Sequence, residues 1–251
     1  MLTPIRFLYG NLVTPLVTAV ATTAQAAFPV QFTLNDFRDK SCRATTTSGR
    51  IQLHYATAQN FNGFALIDSN LTADGTVELR GSTDAFATSD VQILPPSVIT
   101  GPVSLFLLED QVDYTDLRVI MSDAGNPDGY IDFGKLYIGQ CFSPAQNYAW
   151  NFSFSKMSRS EMVETLNKVV HFNRKPQQAK PKAGFVKVPL SDRDLIQAIS
   201  DSVDITDPFV VAFDPDNTPA QTAYVRFATL PDPTHPVFDR ASFQLDLVEE
   251  L

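Results

Sequence analysis

Short runs rich in apolar side chains, some of them alternating with polar ones, dominate the first 145 residues. A period of two puts one set of side chains in a core and the other in solvent, as in a half-buried β-strand. The runs lie at residues 51–55, 64–67, 77–80, 103–108, 117–121 and 135–138. They are separated by turn-forming pairs, namely Asn62-Gly63, Asp74-Gly75, Pro95-Pro96, Gly101-Pro102, Asn126-Pro127 and Asp128-Gly129. Closely spaced short strands and turns are typical of a β-sandwich or jelly roll.

Residues 146–251 combine further strands with one helix. Apolar runs predict strands at residues 148–155, 185–188, 209–213, 223–227 and 243–247. Residues 157–172 are ambiguous, because apolar side chains recur every four positions as on a helix, whereas β-branched pairs allow a strand.

The helix is predicted over residues 191–204. Leu195, Ile199 and Val203 form one apolar stripe together with Ile196, which favours packing on a sheet. Ser191 stands before the stripe with Asp194 three residues later, and this capping-box spacing predicts that Ser191 caps the helix.

A basic stretch lies between these strands and the helix. Residues 173–184 contain two prolines and no apolar side chain larger than alanine, so we expect an exposed loop that buries no face of its own. Its basic residues, with one that follows, are Arg174, Lys175, Lys180, Lys182 and Lys187. In an acidic protein such a loop either contacts an acidic partner or neighbouring subunit, or is simply solvated.

These patterns predict a mainly β fold in two domains. Residues 1–145 form an N-terminal jelly-roll β-sandwich. Residues 146–251 form a β-rich α+β domain with one clear helix and the exposed basic loop 173–184.

Composition and charge narrow the function classes. Of 251 residues, 44% are hydrophobic and 19% charged, which is typical of a globular chain. Lys and Arg number 19 against 28 Asp and Glu, so the net charge is −9, and a chain of this sign repels the phosphate backbone of nucleic acids. Three histidines and two cysteines are too few for the usual Cys/His zinc site.

The N-terminus resembles a secretory signal, since Arg6 precedes an apolar stretch and Ala24-Gln25-Ala26 resembles a cleavage site. Against this, glycine, asparagine, proline and threonine interrupt the stretch, and residues 12–20 alternate weakly as strands do. We therefore expect no signal peptide and no transmembrane helix. Cys42 and Cys141 could form one disulfide, but two reduced thiols are the favoured interpretation.

One acidic segment suggests metal chemistry. Residues 123–132 place Asp123, Asn126, Asp128 and Asp132 close together, which allows a loose calcium site, although the spacing fails the EF-hand pattern. The alternative is an ordinary turn between strands. The chain has no Gly-x-Ser-x-Gly elbow and no glycine-rich phosphate loop. We expect no enzyme activity, no metal and no cofactor.

Several segments resemble a known family. AAFPVQFTLNDFRDKSCRATTTSGRIQLHY, FALIDSNL and VELRGS are similar to the opening of a galactose-binding-like jelly roll that recurs in tail-tip proteins of long-tailed, siphovirus-like bacteriophages. In that pattern, residues 34–38 form a turn. Residues 117–155 are the more specific match, resembling the closing strands and the crossing at Pro144 into a second domain, and the ending FQLDLVEEL resembles a final strand of such proteins. Cys42 stands where relatives often carry tryptophan, and the sugar-binding residues of this superfamily have no match here.

The resemblance implies a minor tail, tail-tip or baseplate protein of the virion, made in the host cytoplasm. It would form a symmetric ring of copies of itself, connecting tail tube, hub and fibre proteins through protein–protein interfaces, without nucleic acid or membrane insertion. The candidate interface residues are Arg174, Lys175, Lys180, Lys182, Lys187, Glu249 and Glu250. The alternative is a lectin-like module that recognises host-surface glycan through the loops near Asn60, Asp68, Asn70, Asp84 and Phe86.

Overall fold

A computed structural model describes residues 4–14, 17–34, 40–149, 152–164, 168, 170–216 and 221–250. Within them the strands are β1 (Arg6–Tyr9), β2 (Thr18–Ala21), β3 (Cys42–Arg43), β4 (Ser48–Ile67), β5 (Thr76–Ser82), β6 (Val91–Val98), β7 (Val103–Ser122), β8 (Asp132–Phe133), β9 (Lys135–Phe142), β10 (Ser153–Ser158), β11 (Glu161–Glu164), β12 (Val170–Asn173), β13 (Gln177–Pro189), β14 (Phe209–Ala212), β15 (Thr222–Thr229), β16 (Thr234–Val237) and β17 (Arg240–Glu249). A 3₁₀ helix spans Val30–Leu34, and the α-helix α1 spans Leu190–Val203.

The chain divides into two compact units. The first comprises Met1–Ser143 and Phe209–Tyr224, and the second comprises Pro144–Pro208 and Val225–Leu251. Each unit is built mainly from antiparallel strands.

The frame of the first unit is an antiparallel ribbon of the two 20-residue strands β4 and β7. Their register shifts between His54 and Gln59 and again between Phe61 and Gly63. Register shifts of this kind bend a strand, and a bent strand can change sheets. Each long strand therefore takes part in two sheets.

In the first sheet, one half of the ribbon pairs with β2 beside β4, and with β5 and then β6 beside β7. In the second sheet, the other half of β4 pairs with β9, which is followed by β1 and β14. Leu53 and Val119 from the first sheet share one core with Phe64, Leu136 and Ile138 from the second. Burying a side chain of this size stabilises the fold by about 1.5–3 kcal/mol. Two antiparallel sheets around one core confirm the predicted jelly-roll sandwich.

Two predicted turns are wrong, because Asn62-Gly63 lies inside β4 and Pro95-Pro96 lies inside β6. Asn62 is held in the sheet by its amide, which donates to the Cys141 carbonyl oxygen over 3.1 Å. A side chain at Gly63 would meet Leu8 Cδ1 at 2.5 Å, so close packing rather than a turn requires this glycine. The two prolines fit because β6 is an edge strand, which can spare backbone donors.

The second unit contains strands in the order β10, β13, β17 and β15, with β16 beside β17 and a separate hairpin of β11 and β12. The described part of the ambiguous residues 157–172 thus falls in β10, β11 and β12, apart from Arg159, Ser160 and Lys168. The strand predicted at 148–155 is described from Ser153 onward as β10, while residues 150 and 151 lie outside the described part.

The predicted helix is present as α1, but the predicted cap is wrong. Pro189 occupies the N-cap position and Ser191 lies within the helix. Ile196, Ile199 and Val203 are buried where α1 packs on β13 and β17, whereas Leu195 is 41% exposed. The stripe therefore covers the sheet with three of its four side chains.

The prediction of an exposed loop over residues 173–184 is wrong. Asn173 ends β12, and Gln177 begins β13, which pairs with β10 on one side and β17 on the other. Ala179, Pro181 and Ala183 alternate on the buried face, while the lysines between them point away from it. Small apolar side chains were enough to bury this face.

The remaining N-terminal expectations concern strands, thiols and membranes. The alternating residues 12–20 contribute to β2, although residues 15 and 16 lie outside the described part, as does most of the turn predicted at 34–38. Cys42 is a buried free thiol and Cys141 a half-buried one. No helix among the described residues is long and apolar enough to cross a bilayer. The fold as a whole is mainly β with one helix, as predicted.

Candidate functional site

A cleft opens in the first unit where β4 ends. Asp68 follows β4 with a φ of 55°, a left-handed conformation that aspartate tolerates better than most residues. Its backbone N–H donates to the Pro102 carbonyl over 2.7 Å, and its own carbonyl accepts from Gly134 N–H. These bonds fix the turn that leads into the cleft.

Asn70 ties this turn to the acidic segment before β9. Its Nδ2 donates to Asp128 Oδ2 over 2.9 Å and to the Tyr130 carbonyl over 3.0 Å. Its Oδ1 accepts from the Asp132 backbone N–H over 2.7 Å. One amide side chain thus holds residues 128, 130 and 132 in place.

Asp132 is the most constrained acidic side chain at this cleft. Arg43 donates to its Oδ2 from Nε over 3.0 Å and from Nη2 over 2.7 Å, and this hydrogen bond raises the pKa of Arg43. The guanidinium lies between the rings of Phe28 and Tyr130, 4.2 and 4.4 Å from their centroids. The other carboxylate oxygen, Asp132 Oδ1, is buried and has no hydrogen-bond partner.

The cleft has a volume of about 570 Å³ and is open to solvent on one side. Its polar lining includes Ser41, Asp68, Ser69, Asn70 and Asp132. Its apolar lining includes Leu71, Ile99 and Pro102. A small polyhydroxylated ligand can meet both kinds of surface, since its hydroxyls need acceptors and its C–H faces need apolar contact.

The calcium interpretation of residues 123–132 finds no support in the geometry. Asp123 accepts from Thr72 N–H over 2.7 Å, from Thr72 Oγ1 over 3.0 Å and from Asn126 Nδ2 over 3.1 Å. Asp128 and Asp132 likewise accept from protein donors. No group of three or more metal-ligating side chains occurs among the described residues. The carboxylates of this segment are thus bonded to the protein itself, in a turn between β7 and β8.

Asp84 and Phe86 lie in a different turn, between β5 and β6. The Asp84 carboxylate accepts from the Thr88 and Ser82 hydroxyls and from backbone N–H groups, and these bonds hold its pKa well below its usual range. Phe86, with a φ of 64°, places its ring 3.7 Å from the Arg118 guanidinium. Both side chains shape their own turn.

Asn60 is not in a loop, because it lies within β4. About 25 Å of extended chain separates it from Asp68. Its Nδ2 donates to Asp113 Oδ1 over 2.9 Å, and it accepts from Gln140. The structure therefore brings Asp68 and Asn70 together and leaves the other three ligand-loop candidates elsewhere.

The candidate interface residues all lie in the second unit, and several are already paired. Lys182 contacts Asp246 over 2.8 Å and Lys175 contacts Glu161. Glu249 accepts from the Ala179 backbone N–H over 2.9 Å, and Glu250 contacts Arg226 over 3.1 Å. Arg174 and Lys187 are exposed, and Lys180 is half-buried.

Sequence reasoning missed two arrangements. Arg43 and Asp132 are 89 residues apart, and nothing local links them. His54 Nδ1 lies 2.8 Å from Oδ1 of the buried Asp116, which also accepts from Ala85 N–H. Strand pairing brings both pairs together, β3 with β8 for the first and β4 with β7 for the second.

Comparisons with known proteins give distant structural likenesses only. No family model matches the chain, and no curated protein matches it. A Clostridium perfringens module solved in complex with GalNAc-β-1,3-galactose is 14% identical, with a TM-score of 0.44 over 52% of this chain and 99% of that chain. A chitosan-binding module of a Paenibacillus chitosanase/glucanase is 15% identical, with a TM-score of 0.44 over 52% and 98%. The family 32 carbohydrate-binding module of Streptococcus pneumoniae EndoD is 13% identical, with a TM-score of 0.44 over 52% and 99%. Likenesses this distant say nothing of what this chain binds.

Proposed function

We propose that the first unit is a carbohydrate-binding module whose ligand occupies the cleft beside Asp132. The observation that carries the proposal is the lining of this cleft, where Asp132, fixed by Arg43, lies among polar side chains and beside apolar ones. Sugar hydroxyls need polar partners of this kind, and the C–H faces of a sugar pack on apolar side chains.

The surroundings of Asp132 favour a rigid acceptor. Arg43 grips Oδ2 with two donors, and Phe28 and Tyr130 hold the guanidinium between their rings. A pre-positioned acceptor loses little conformational entropy when a ligand binds. Ser69 and Asp68 add polar groups beside it, and this role is one of binding rather than catalysis.

The test is a calorimetric titration with a glycan that binds the wild-type chain on a glycan array. Asp132→Asn removes the anionic acceptor, and Ser69→Ala removes one hydroxyl without touching the Arg43 pair. We expect D132N to weaken binding at least ten-fold and S69A to weaken it several-fold, as the loss of one charged and one neutral hydrogen bond implies. The matched control is D216N, at an exposed aspartate of the same unit that lies 3.7 Å from Arg6. Equal affinity in D132N and D216N would refute the proposal.

A second candidate function is assembly into a ring, such as the bacteriophage tail tip that the sequence resembles. The observation favouring it is an exposed apolar pair on the β11–β12 hairpin, where Met162 is 65% and Phe172 70% exposed at directly opposed positions. Eight of the 19 basic residues lie between residues 156 and 187 beside two glutamates, in a chain of net charge −9. An apolar, basic hairpin fits an acidic neighbouring copy.

Light scattering of the free chain over a range of concentrations tests assembly. We expect an oligomer for the wild-type chain and a monomer for Phe172→Ser. Val98→Ser, at a 53% exposed position of the first unit, is the control that should assemble normally. A wild-type chain that stays monomeric at all concentrations would exclude self-assembly.

A further inference from the structure

We infer that the outer face of the first sheet carries an oxyanion-binding site centred on Arg50, which lies next to Arg118. The register places three guanidinium groups on neighbouring strands. Arg118 of β7 lies directly opposite Gln52 of β4 on one side and Arg80 of β5 on the other. Arg50 is two residues from Gln52 on β4, so it shares the same face.

Like charges directly opposite each other on a sheet destabilise it unless they are compensated. Arg80 is compensated fully, since Nε contacts Asp90 Oδ1 over 2.6 Å and Nη1 contacts Glu78 Oε1 over 2.8 Å. Arg118 has a weaker ion pair, because its Nη1 is 3.5 Å from Asp90 Oδ2, and the ring of Phe86 lies 3.7 Å from its guanidinium.

Two arginines therefore keep donors without partners. Arg118 Nε is buried and has no hydrogen-bond partner, whereas Arg50 is exposed and forms no ion pair with any residue that the structure describes. A dissolved anion can reach only Arg50. Burial, followed by repulsion from Arg50, lowers the pKa of Arg118, and the attraction of Asp90 offsets this only in part. The excess positive charge is local and opposes the net charge of the whole chain.

A cleft of about 500 Å³ adjoins Arg50 and supplies hydroxyl donors. Ser48 and Ser122 line it at directly opposed positions on β4 and β7. Thr22 and Thr23 line it as well, and their hydroxyls donate only over 3.4 Å to the backbone carbonyls of Arg50 and Ser48. Such long bonds are readily exchanged for shorter ones to an anion.

The chemistry that fits this set is a sulfate or phosphate group. A guanidinium presents paired N–H donors that match two oxygens of such a group, and hydroxyls can serve the remaining oxygens. The group could arrive as a free ion or as a substituent on a sugar. The site is distinct from the Asp132 cleft and does not depend on it.

The probe is sodium sulfate, titrated into the full chain and followed by amide chemical shifts, with sodium chloride at equal ionic strength as the reference. We expect saturable shifts around residues 48–50 and 118–122. Arg50→Gln should weaken sulfate binding about ten-fold or more, because it removes a charge-assisted bond from an exposed side chain. The matched control, Arg174→Gln at an exposed arginine of the second unit, should leave the affinity unchanged.

A parallel titration with galactose 6-sulfate and galactose identifies the source of the anion. Tighter binding of the sulfated sugar than of inorganic sulfate, lost in R50Q, supports a sugar substituent. Equal affinities that are both lost in R50Q support a free ion. Shifts no larger than those with chloride, or equal sulfate affinity in R50Q and the wild-type chain, would overturn the site. Neither result bears on D132N, so the two proposals fail separately.

Discussion

Replacing Asn70 by alanine should destabilise the first unit by about 2–3 kcal/mol. The side chain makes two part-buried bonds to backbone groups, from Asp132 N–H and to the Tyr130 carbonyl, and one more exposed bond to Asp128. Each part-buried bond contributes about 1 kcal/mol, and the exposed one adds about half as much. The N70A substitution also leaves the backbone N–H of Asp132 without its hydrogen-bond acceptor.

Urea unfolding followed by circular dichroism measures this loss as a shift of the transition midpoint at unchanged slope. Asn60→Ala is the matched control, since its amide bonds to Asp113 and Gln140 are exposed and we expect about 0.5 kcal/mol or less. If N70A unfolds within 0.5 kcal/mol of the wild-type chain, Asn70 is not the tie that holds the segment 128–132, and the rigid cleft loses its basis.

Three further predictions concern a glycine, a carboxylate and the thiols. Gly139→Ala should lower the free energy of unfolding by about 1–3 kcal/mol, because the new Cβ would lie 2.3 Å from the Tyr9 carbonyl oxygen. The control is G101A, whose Cβ would meet nothing within 4 Å and which should unfold like the wild-type chain. The pKa of Asp84 is below its usual range in the folded chain, so its carboxylate stabilises the fold above about pH 4, and this contribution is lost as the pH falls. Below that pH, the free energy of unfolding should therefore change less with pH in D84N than in the wild-type chain. Parallel curves for the two chains would contradict this linkage. Burial raises the pKa of Cys42 to about 12 and that of Cys141 to about 11. Iodoacetamide at pH 8 should therefore label both thiols only after denaturation. Rapid labelling of the native chain would contradict this and show that the thiols are accessible.

The local pattern of apolar side chains was enough to predict most strands and the helix. The run at 243–247 alternates strictly and lies in β17, and the stripe of Ile196, Ile199 and Val203 covers the sheet. Such periodicity reflects which face of an element is buried, and it survives in a single sequence.

Long-range features could not be predicted in the same way. Asn62-Gly63 has the composition of a turn, but its glycine is required by Leu8, which lies far along the chain. Residues 177–184 bury a face with alanine and proline, which the criterion for large apolar side chains overlooks. In both segments, contacts with residues distant in the sequence determine the structure that forms.

The candidate site shows the same division. Asp68 and Asn70 were loop candidates of the lectin-like alternative, and they lie together at the cleft. Asp132, which bonds to Asn70, meets Arg43 only because β3 pairs with β8, a two-residue ladder that has no periodic signal of its own. The arginines of the outer sheet face likewise lie close together only because of the register between β4, β7 and β5.

The measurement that tests the central claim most directly is a glycan-array screen of the purified full chain, with D132N screened beside it. The account predicts that the wild-type chain binds one or a few related glycans in a concentration-dependent way and that D132N, folded by circular dichroism, loses that signal. A wild-type chain that binds no glycan, or a D132N chain that binds the same glycans equally well, would contradict it.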